Sequence, residues 1–229
     1  MFWWREEVRP GVTVAFTDTD AGNLALHVGD DAGDVMARRA RLETASGLGG
    51  RSFQYMSQVH GNAVAFIDGT AEAPTADAMV STGQPLAVMV ADCVPVVLAG
   101  DGAAGPVLGV AHAGRPGVAS GVVPAVVAEM RERGAQDIAA WIGPSICGKC
   151  YEVPEALRAD VAATVPATWA ETSWGTPALD LPAGVRAQLG ALGVPVEYSG
   201  GCTKDTEALF SYRRQQQTGR FAGLIWTHD

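Results

Sequence analysis

The apolar positions of this chain come in short runs rather than long periodic stretches. Leu86–Val90, Val94–Leu98 and Val107–Val110 are rich in Val and Leu and lack strict alternation, so they predict strands covered on both faces. Thr13–Phe16, Ile138–Ile142, Val194–Tyr198 and Ala222–Trp226 predict further strands, the second closed by Gly143-Pro144. A strand pattern also lies within Val59–Ile67 and ends at the turn signal Asp68-Gly69. Helical spacing of Val35, Leu42 and Ala45 predicts a helix over Asp34–Leu48, with Asp34 as its N-cap and Gly47, Gly49 and Gly50 as its stop. Val118–Arg133 predicts a second helix, which either begins near Pro124 or is kinked there. Pro154–Val165 and Pro182–Leu192 predict two more, each with Pro in its first turn. Strands in runs among separated helices point to an α+β fold with mixed β-sheets.

Length and composition narrow this picture. With 229 residues, one domain over 1–229 is the default, and no internal repeat or low-complexity linker divides it. Apolar residues make up 48% and charged residues 18%, which suits a packed core and excludes a disordered polymer. The net charge is −9 with no Lys/Arg run, so neither nucleic acid nor an anionic membrane surface is an expected partner. The longest uncharged stretch, Ala78–Ala91, is shorter than the roughly 20 residues of a membrane helix, and the first residues do not read as a signal peptide. Four cysteines are sparse for a chain of this size, and the expected location is the reducing cytoplasm. There is no GxGxxG after a strand and no GxxxxGK[ST], so dinucleotide and P-loop readings have no support.

Candidate chemistry rests on few residues. The histidines number four, whereas a multicopper oxidase needs about ten imidazoles on the ligand preferences of copper. Copper oxidation is therefore disfavoured. Gln58-Val59-His60-Gly61, Ala91-Asp92-Cys93-Val94-Pro95 and Ala111-His112-Ala113-Gly114 each put a metal-capable side chain among small residues at a strand end. Two imidazoles and one thiolate suit zinc and leave a fourth position open, as catalytic zinc sites do. Alternatively, Cys93 and His112 form a nucleophile–base pair, with Asp92 or another acid orienting the imidazole. The spacing fits no local zinc-finger pattern, which also allows loop histidines and a small buried cysteine.

Other clusters are weaker. Cys147-Gly148-Lys149-Cys150 is a lone CxxC outside a thioredoxin-like context. A metal there needs two more soft ligands, of which Cys202 offers one, so two ordinary reduced thiols in a loop are expected. Arg213, Arg214 and Arg220 lie within eight residues beside Ser211, Tyr212 and Thr218 and can grip a phosphate or carboxylate. Gly114–Gly117 ahead of a helix offers backbone N–H groups to an anion. Asp18, Asp20, Asp30, Asp31 and Asp34 read as turn and cap residues.

Taken in order along the chain, these segments resemble a known family. They include Asn23-Leu24, Val28-Gly29-Asp30-Asp31, Arg39, Gln58-Val59-His60-Gly61, Asp77-Ala78, Asp92-Cys93-Val94-Pro95, His112-Ala113-Gly114, Gly143-Pro144, Cys150-Tyr151-Glu152-Val153, Cys202-Thr203, Ser211-Tyr212-Arg213-Arg214 and Thr218-Gly219-Arg220. The chain is similar to the multicopper polyphenol oxidoreductase, or laccase-domain, family. Its members are associated with purine nucleoside phosphorylase activity, and some are named peptidoglycan editing factors. The resemblance implies one α/β/β/α layered domain of cysteine-hydrolase-like fold and a zinc site on His60, Cys93 and His112. It implies phosphorolysis of adenosine, inosine or methylthioadenosine with phosphate, deamination of adenosine, and substrate contacts from Asn23 and Arg39. An amidase acting on peptidoglycan precursors through the same zinc or through Cys93 is the rival enzyme. A structural metal in a partner-binding module is the non-enzymatic one. The chain departs from the family at Arg115-Pro116-Gly117, where Trp-Arg-Gly is usual, at Arg38 in place of asparagine, and at Ala21-Gly22 in place of Gly-Gly.

Overall fold

The computed structural model describes residues 1–69 and 72–228, with the backbone alone at Ser199. Two sheets lie at its centre. The first has four antiparallel strands in the order β1 (Phe2–Arg9), β2 (Val12–Thr17), β12 (Phe221–Thr227) and β5 (Leu86–Val90). The second has six strands in the order β11 (Val196–Ser199), β8 (Gln136–Ile142), β6 (Val94–Gly102), β7 (Gly105–Ala113), β4 (Ala78–Ser81) and β3 (Val64–Ile67). Its two outer pairs are parallel and its inner pairs antiparallel. A two-stranded ribbon joins β9 (Trp169–Glu171) and β10 (Pro177–Leu179).

Side-chain alternation assigns each face. On β6, Val94, Val96 and Leu98 join a core with the helices, while Val97 and Ala99 face the other sheet. On β5, Leu86 and Val88 pack between the sheets, and Ala87 and Met89 pack toward the opposite side. Both faces are thus covered, which is why these runs lack a polar alternation. Helix α1 (Ala32–Ser46) covers the four-stranded sheet through Leu42, against Ala15, Leu224 and Trp226. Helices α2 (Arg115–Ser120), α3 (Val122–Glu132), α4 (Glu155–Thr164) and α5 (Leu181–Ala191) cover the six-stranded sheet through residues such as Val118, Val126, Val161 and Val185. The expected order of layers, helix, sheet, sheet and helix, is the observed one. Each fully buried Val or Leu contributes about 1.5–3 kcal/mol, so three apolar layers stabilise a chain of this size without crosslinks.

Several boundaries differ from the pattern reading. The N-cap of α1 is Asp31, whose side chain accepts from the Asp34 N–H at 3.0 Å; Asp34 lies inside the first turn. Asp31 keeps an extended backbone there, which an N-cap requires. The long helix expected around Pro124 is broken at Gly121, a left-handed residue that ends α2 and starts α3. Pro124 falls in the first turn of α3, where its missing N–H costs nothing. Only Val64–Ile67 of Val59–Ile67 is strand, because the chain turns at His60 (φ +62°). Pattern reading missed β1, whose four charges mark an exposed edge, and the short strands β4, β9 and β10. Among the described residues no helix is long and apolar enough to cross a membrane.

Gly143, just after β8, packs where the two sheets meet. A Cβ there would run into the Phe16 ring and come within 2.7 Å of Pro95. Gly143→Ala is expected to destabilise the fold by about 1–3 kcal/mol. Urea unfolding followed by circular dichroism checks this, and an unchanged midpoint contradicts the packing described.

Candidate metal centre and substrate cavity

Strand register brings the three candidate ligands together. Cys93 lies on the tight turn where the chain crosses from β5 in one sheet to β6 in the other, with Asp92 in left-handed backbone (φ +88°). The β6–β7 pairing sets Val94 opposite Ala113 and Pro95 opposite His112, so Cys93 arrives beside the end of β7. Pairing of β4 with β7 sets Ala78 opposite Ala111, and the His112 N–H donates to the Asp77 carbonyl at 2.7 Å. Side-chain donor atoms of His60, Cys93 and His112 lie within 4.8 Å of one another. The two imidazole rings meet edge to face with centroids 4.6 Å apart, and Cys93 Sγ is 3.8 Å from His60 Nε2. Gly114 is required beside them: a Cβ would sit 2.8 Å from His60 Cδ2 and 3.2 Å from Cys93 Sγ.

One buried carboxylate organises this set. Asp77 accepts N–H bonds from Val59 (3.2 Å), His60 (2.9 Å) and Gly61 (2.6 Å), and its Oδ1 pairs with His112 Nδ1 at 2.8 Å. Burial pushes the Asp77 carboxyl up, but the His112 bond and the backbone N–H groups outweigh it and hold the pKa below the usual carboxylate range. The Cys93 thiol is likewise pushed up by burial, yet the His112 charge and hydrogen bonds from both imidazoles bring it down to about 6. Burial pushes His112 down, and the Cys93 and Asp77 charges raise it to about 9. Both shifts run in the direction that favours a thiolate–imidazolium pair, with an acid bonded to the imidazole. The sequence offered Asp92 or another acid to steer that ring, and the acid bonded to His112 is Asp77.

Two imidazoles and a thiolate at this separation could hold a metal ion, and the donor set is zinc-like. With Nδ1 of His112 bonded to Asp77, Nε2 is left to face the other ligands, the tautomer that a carboxylate fixes at metal sites. Among the described residues this group has three members, and Cys202, a candidate fourth ligand, lies in a different cluster.

The three side chains open into a cavity of about 390 Å³, within the range of small-molecule pockets. Arg115, Arg213 and Arg220 line it, as do Tyr151, Tyr212 and Met89. Of the expected anion ligands, Arg213 and Arg220 thus face the cavity. Arg214 does not: its guanidinium donates to the carbonyls of Thr203 (2.7 Å), Lys204 (3.2 Å), Thr206 (3.0 Å) and Leu209, clamping its own loop. Arg39 donates to the Leu24 carbonyl and stacks on Tyr55 at 3.7 Å. Asn23 is buried, with Oδ1 accepting from the Ala25 and Arg220 N–H groups. Both hold scaffold and neither lines the cavity. Asp92 does line it, but Oδ1 accepts from Thr203 Oγ1 at 2.6 Å and Oδ2 from the Arg213 N–H at 2.7 Å. Residue reading missed Asp77, Arg115 and Tyr151 as site residues. The acid flanked by alanines just before β4 was the available signal for Asp77.

Cys147, Cys150, Cys202 and Asp205 form the other cluster, with donor atoms also within 4.8 Å of one another. Burial and the neighbouring Cys202 hold the Cys147 thiol above its usual value; burial and Asp205 do the same for Cys150. Neither has the depressed pKa of a reactive redox thiol.

A sequence model of the family described as multi-copper polyphenol oxidoreductase laccase matches residues 9–228. The chain belongs to this family. Similar proteins include a purine nucleoside phosphorylase of Streptomyces griseus, 50% identical over 230 aligned positions that cover 93% of each chain. Another, from Mycobacterium tuberculosis H37Rv, is 44% identical over 214 positions, covering 90% of this chain and 85% of the relative. Among solved structures, the protein YlmD of Geobacillus stearothermophilus superposes with a TM-score of 0.84 at 32% identity, over 98% of both chains. In this member of the family Arg115 puts a guanidinium on the cavity wall, close enough to Tyr151 for its charge to act on the phenol.

Removing the Asp77 charge isolates its contribution. Asp77→Asn is expected to weaken Zn(II) binding at the His60–Cys93–His112 group by about 10–100-fold. Competition against a chromogenic chelator measures it, and an unchanged affinity contradicts the steering role.

Proposed function

We propose that the protein is a zinc-dependent purine nucleoside phosphorylase, acting in the cytoplasm as one domain, that also deaminates adenosine. The observation that carries this reading is the joining of a zinc-like ligand set with three arginines in one cavity. The names of its relatives in Streptomyces griseus and Mycobacterium tuberculosis support it. His60, Cys93 and His112 would hold the ion, which supplies fixed positive charge beside the reacting atoms.

The chain's own residues supply the rest. Arg115, Arg213 and Arg220 bind phosphate, each guanidinium being a planar donor suited to an oxyanion. Met89, Ile146 and the Tyr212 ring form an apolar wall for the purine. In phosphorolysis the bond between ribose C1′ and purine N9 breaks, N9 keeps the electron pair, and a phosphate oxygen bonds to C1′. Positive charge that grows on the ribose is met by the phosphate dianion, which the arginines orient. Burial, with the Cys93 charge close by, holds Tyr151 above its usual value, so its hydroxyl is a hydrogen-bond donor at neutral pH. That hydroxyl is available to the departing base. Deamination uses the same purine wall: a water oxygen bonds to purine C6, the C6–N bond breaks, and the amino group leaves as ammonia.

The purified protein is incubated with inosine, with and without phosphate. Hypoxanthine and ribose 1-phosphate are expected with phosphate only; base release that ignores phosphate, or none, rejects phosphorolysis. Cys93→Ala is expected to lose the ion of the His60–Cys93–His112 group and, with it, turnover. Arg220→Ala is expected to raise KM for phosphate by about 10–100-fold, the worth of one charged hydrogen bond. Adenosine without phosphate should yield inosine.

A second reading has its own observation: the line Asp77–His112–Cys93 is also the arrangement of a cysteine hydrolase, which would suit an amidase acting on peptidoglycan precursors. Metal-free protein that cleaves amides and is killed by iodoacetamide favours that route over the zinc enzyme.

A further inference from the structure

We propose that Cys147, Cys150, Cys202 and Asp205 form a second metal site, suited to structural zinc, that fastens together the loops walling the cavity. Their four donor atoms lie within 4.8 Å of one another. A zinc tetrahedron with bonds of about 2.3 Å has edges of about 3.8 Å, so the side chains need only draw in slightly.

The backbone is arranged for this convergence. N–H groups of Cys150 and Tyr151 both donate to the Cys147 carbonyl at 3.0 Å, a turn that folds the two thiols of CxxC toward one side. Gly148 sits inside that turn, where a Cβ would lie 2.7 Å from Asp180 Cβ. A parallel bridge between Ser145 and Cys202 then brings the third sulfur alongside, through Ser145 N–H to Gly201 carbonyl and Thr203 N–H to Ser145 carbonyl, each 3.1 Å. Cys150 is buried and its Sγ faces both oxygens of Asp205 at 3.4 and 3.5 Å. Three thiolates and one carboxylate are a soft set that selects zinc over magnesium or calcium. Four protein ligands close the shell, as in structural zinc sites, in contrast to the three-ligand group at Cys93. Binding would release the thiol protons to solvent.

The position gives the site its consequence. Thr203, next to Cys202, donates to Asp92, and Asp92 is next to Cys93. Tyr151, next to Cys150, lines the cavity. An ion here holds both loops in the register that these contacts need.

Zinc per chain, measured by mass spectrometry of the reduced native protein, should be two, and one in Cys93→Ala. Cys93→Ala removes the sulfur of the first group, so cobalt(II) added to it reports the second cluster alone. A sulfur-to-cobalt charge-transfer band that saturates at one equivalent, and is lost on adding Cys150→Ser, supports the site. A folded Cys93→Ala protein with no such band overturns it. Where the double variant folds poorly, the native chain decides. Two zincs per chain, or a single zinc that survives Cys93→Ala, supports the site; in the second case the first group is the one that fails. A single zinc that vanishes in Cys93→Ala overturns it, as does a disulfide among Cys147, Cys150 and Cys202 in the reduced native protein.

Discussion

The candidate centre depends on one buried carboxylate. Asp77 is 0% exposed and receives three backbone N–H groups and one imidazole. A carboxylate in such surroundings is tolerated only when its oxygens are saturated, and the four donors do this. The same bonds shape the chain. They hold residues 59–61 in a turn that needs left-handed backbone at His60, a conformation that costs an ordinary residue about 1–3 kcal/mol. They also fix which nitrogen of His112 is turned toward Cys93. One charge therefore sets the position of two candidate ligands that are far apart in sequence.

The third ligand is placed by the seam between the sheets. Cys93 lies on the crossing from β5 to β6, so its position is set by the packing of one sheet on the other. Phe16 and Pro95 close on Gly143 at that seam. Asp92, also in left-handed backbone, reaches across to Thr203 and Arg213 and ties the seam to the C-terminal loop. Left-handed backbone at His60 and Asp92 and the buried polar bonds of Asp77 and Asp92 thus meet at the cavity.

What could be read from the sequence follows from how local each signal is. The doubly covered strands and the helices opened by Pro154, the N-cap of α4, and by Pro182 in the first turn of α5 were legible because their patterns are local. His60, Cys93 and His112 stood out because small neighbours leave each side chain prominent. Asp77 did not, since its partners lie between 16 and 35 residues away and only the alanines on either side of it hint at burial. Arginines mislead for the same reason. A guanidinium in the sequence shows its charge but not the carbonyls it will meet, so Arg214 reads as an anion ligand and folds as a clamp, as does Arg39, for which the resemblance implied a substrate contact. Asp205 is the matching case for the CxxC: the sequence supplied a third sulfur, and only the fold supplied the fourth donor.

The distribution of charge has a further meaning. The chain carries a net −9, yet the cavity gathers Arg115, Arg213 and Arg220. Among the described residues none of the three is in an ion pair with a carboxylate. Arg213 is held by the Glu152 carbonyl and stacks on Tyr151, and Arg220 by the carbonyls of Thr218 and Gly219. Carbonyls and rings orient a guanidinium without neutralising it. Burial already pulls the Arg220 pKa down, a sign that its charge is partly desolvated. A concave wall with three unpaired guanidiniums favours anions even when the outer surface is acidic, because the low-dielectric rim focuses the field inward, although Asp92 and Cys93 on the same wall offset part of that charge. Had these arginines been paired with carboxylates, the cavity would be neutral and an anion would have to displace a salt bridge to enter. As folded, an oxyanion can reach these guanidiniums without first breaking a salt bridge.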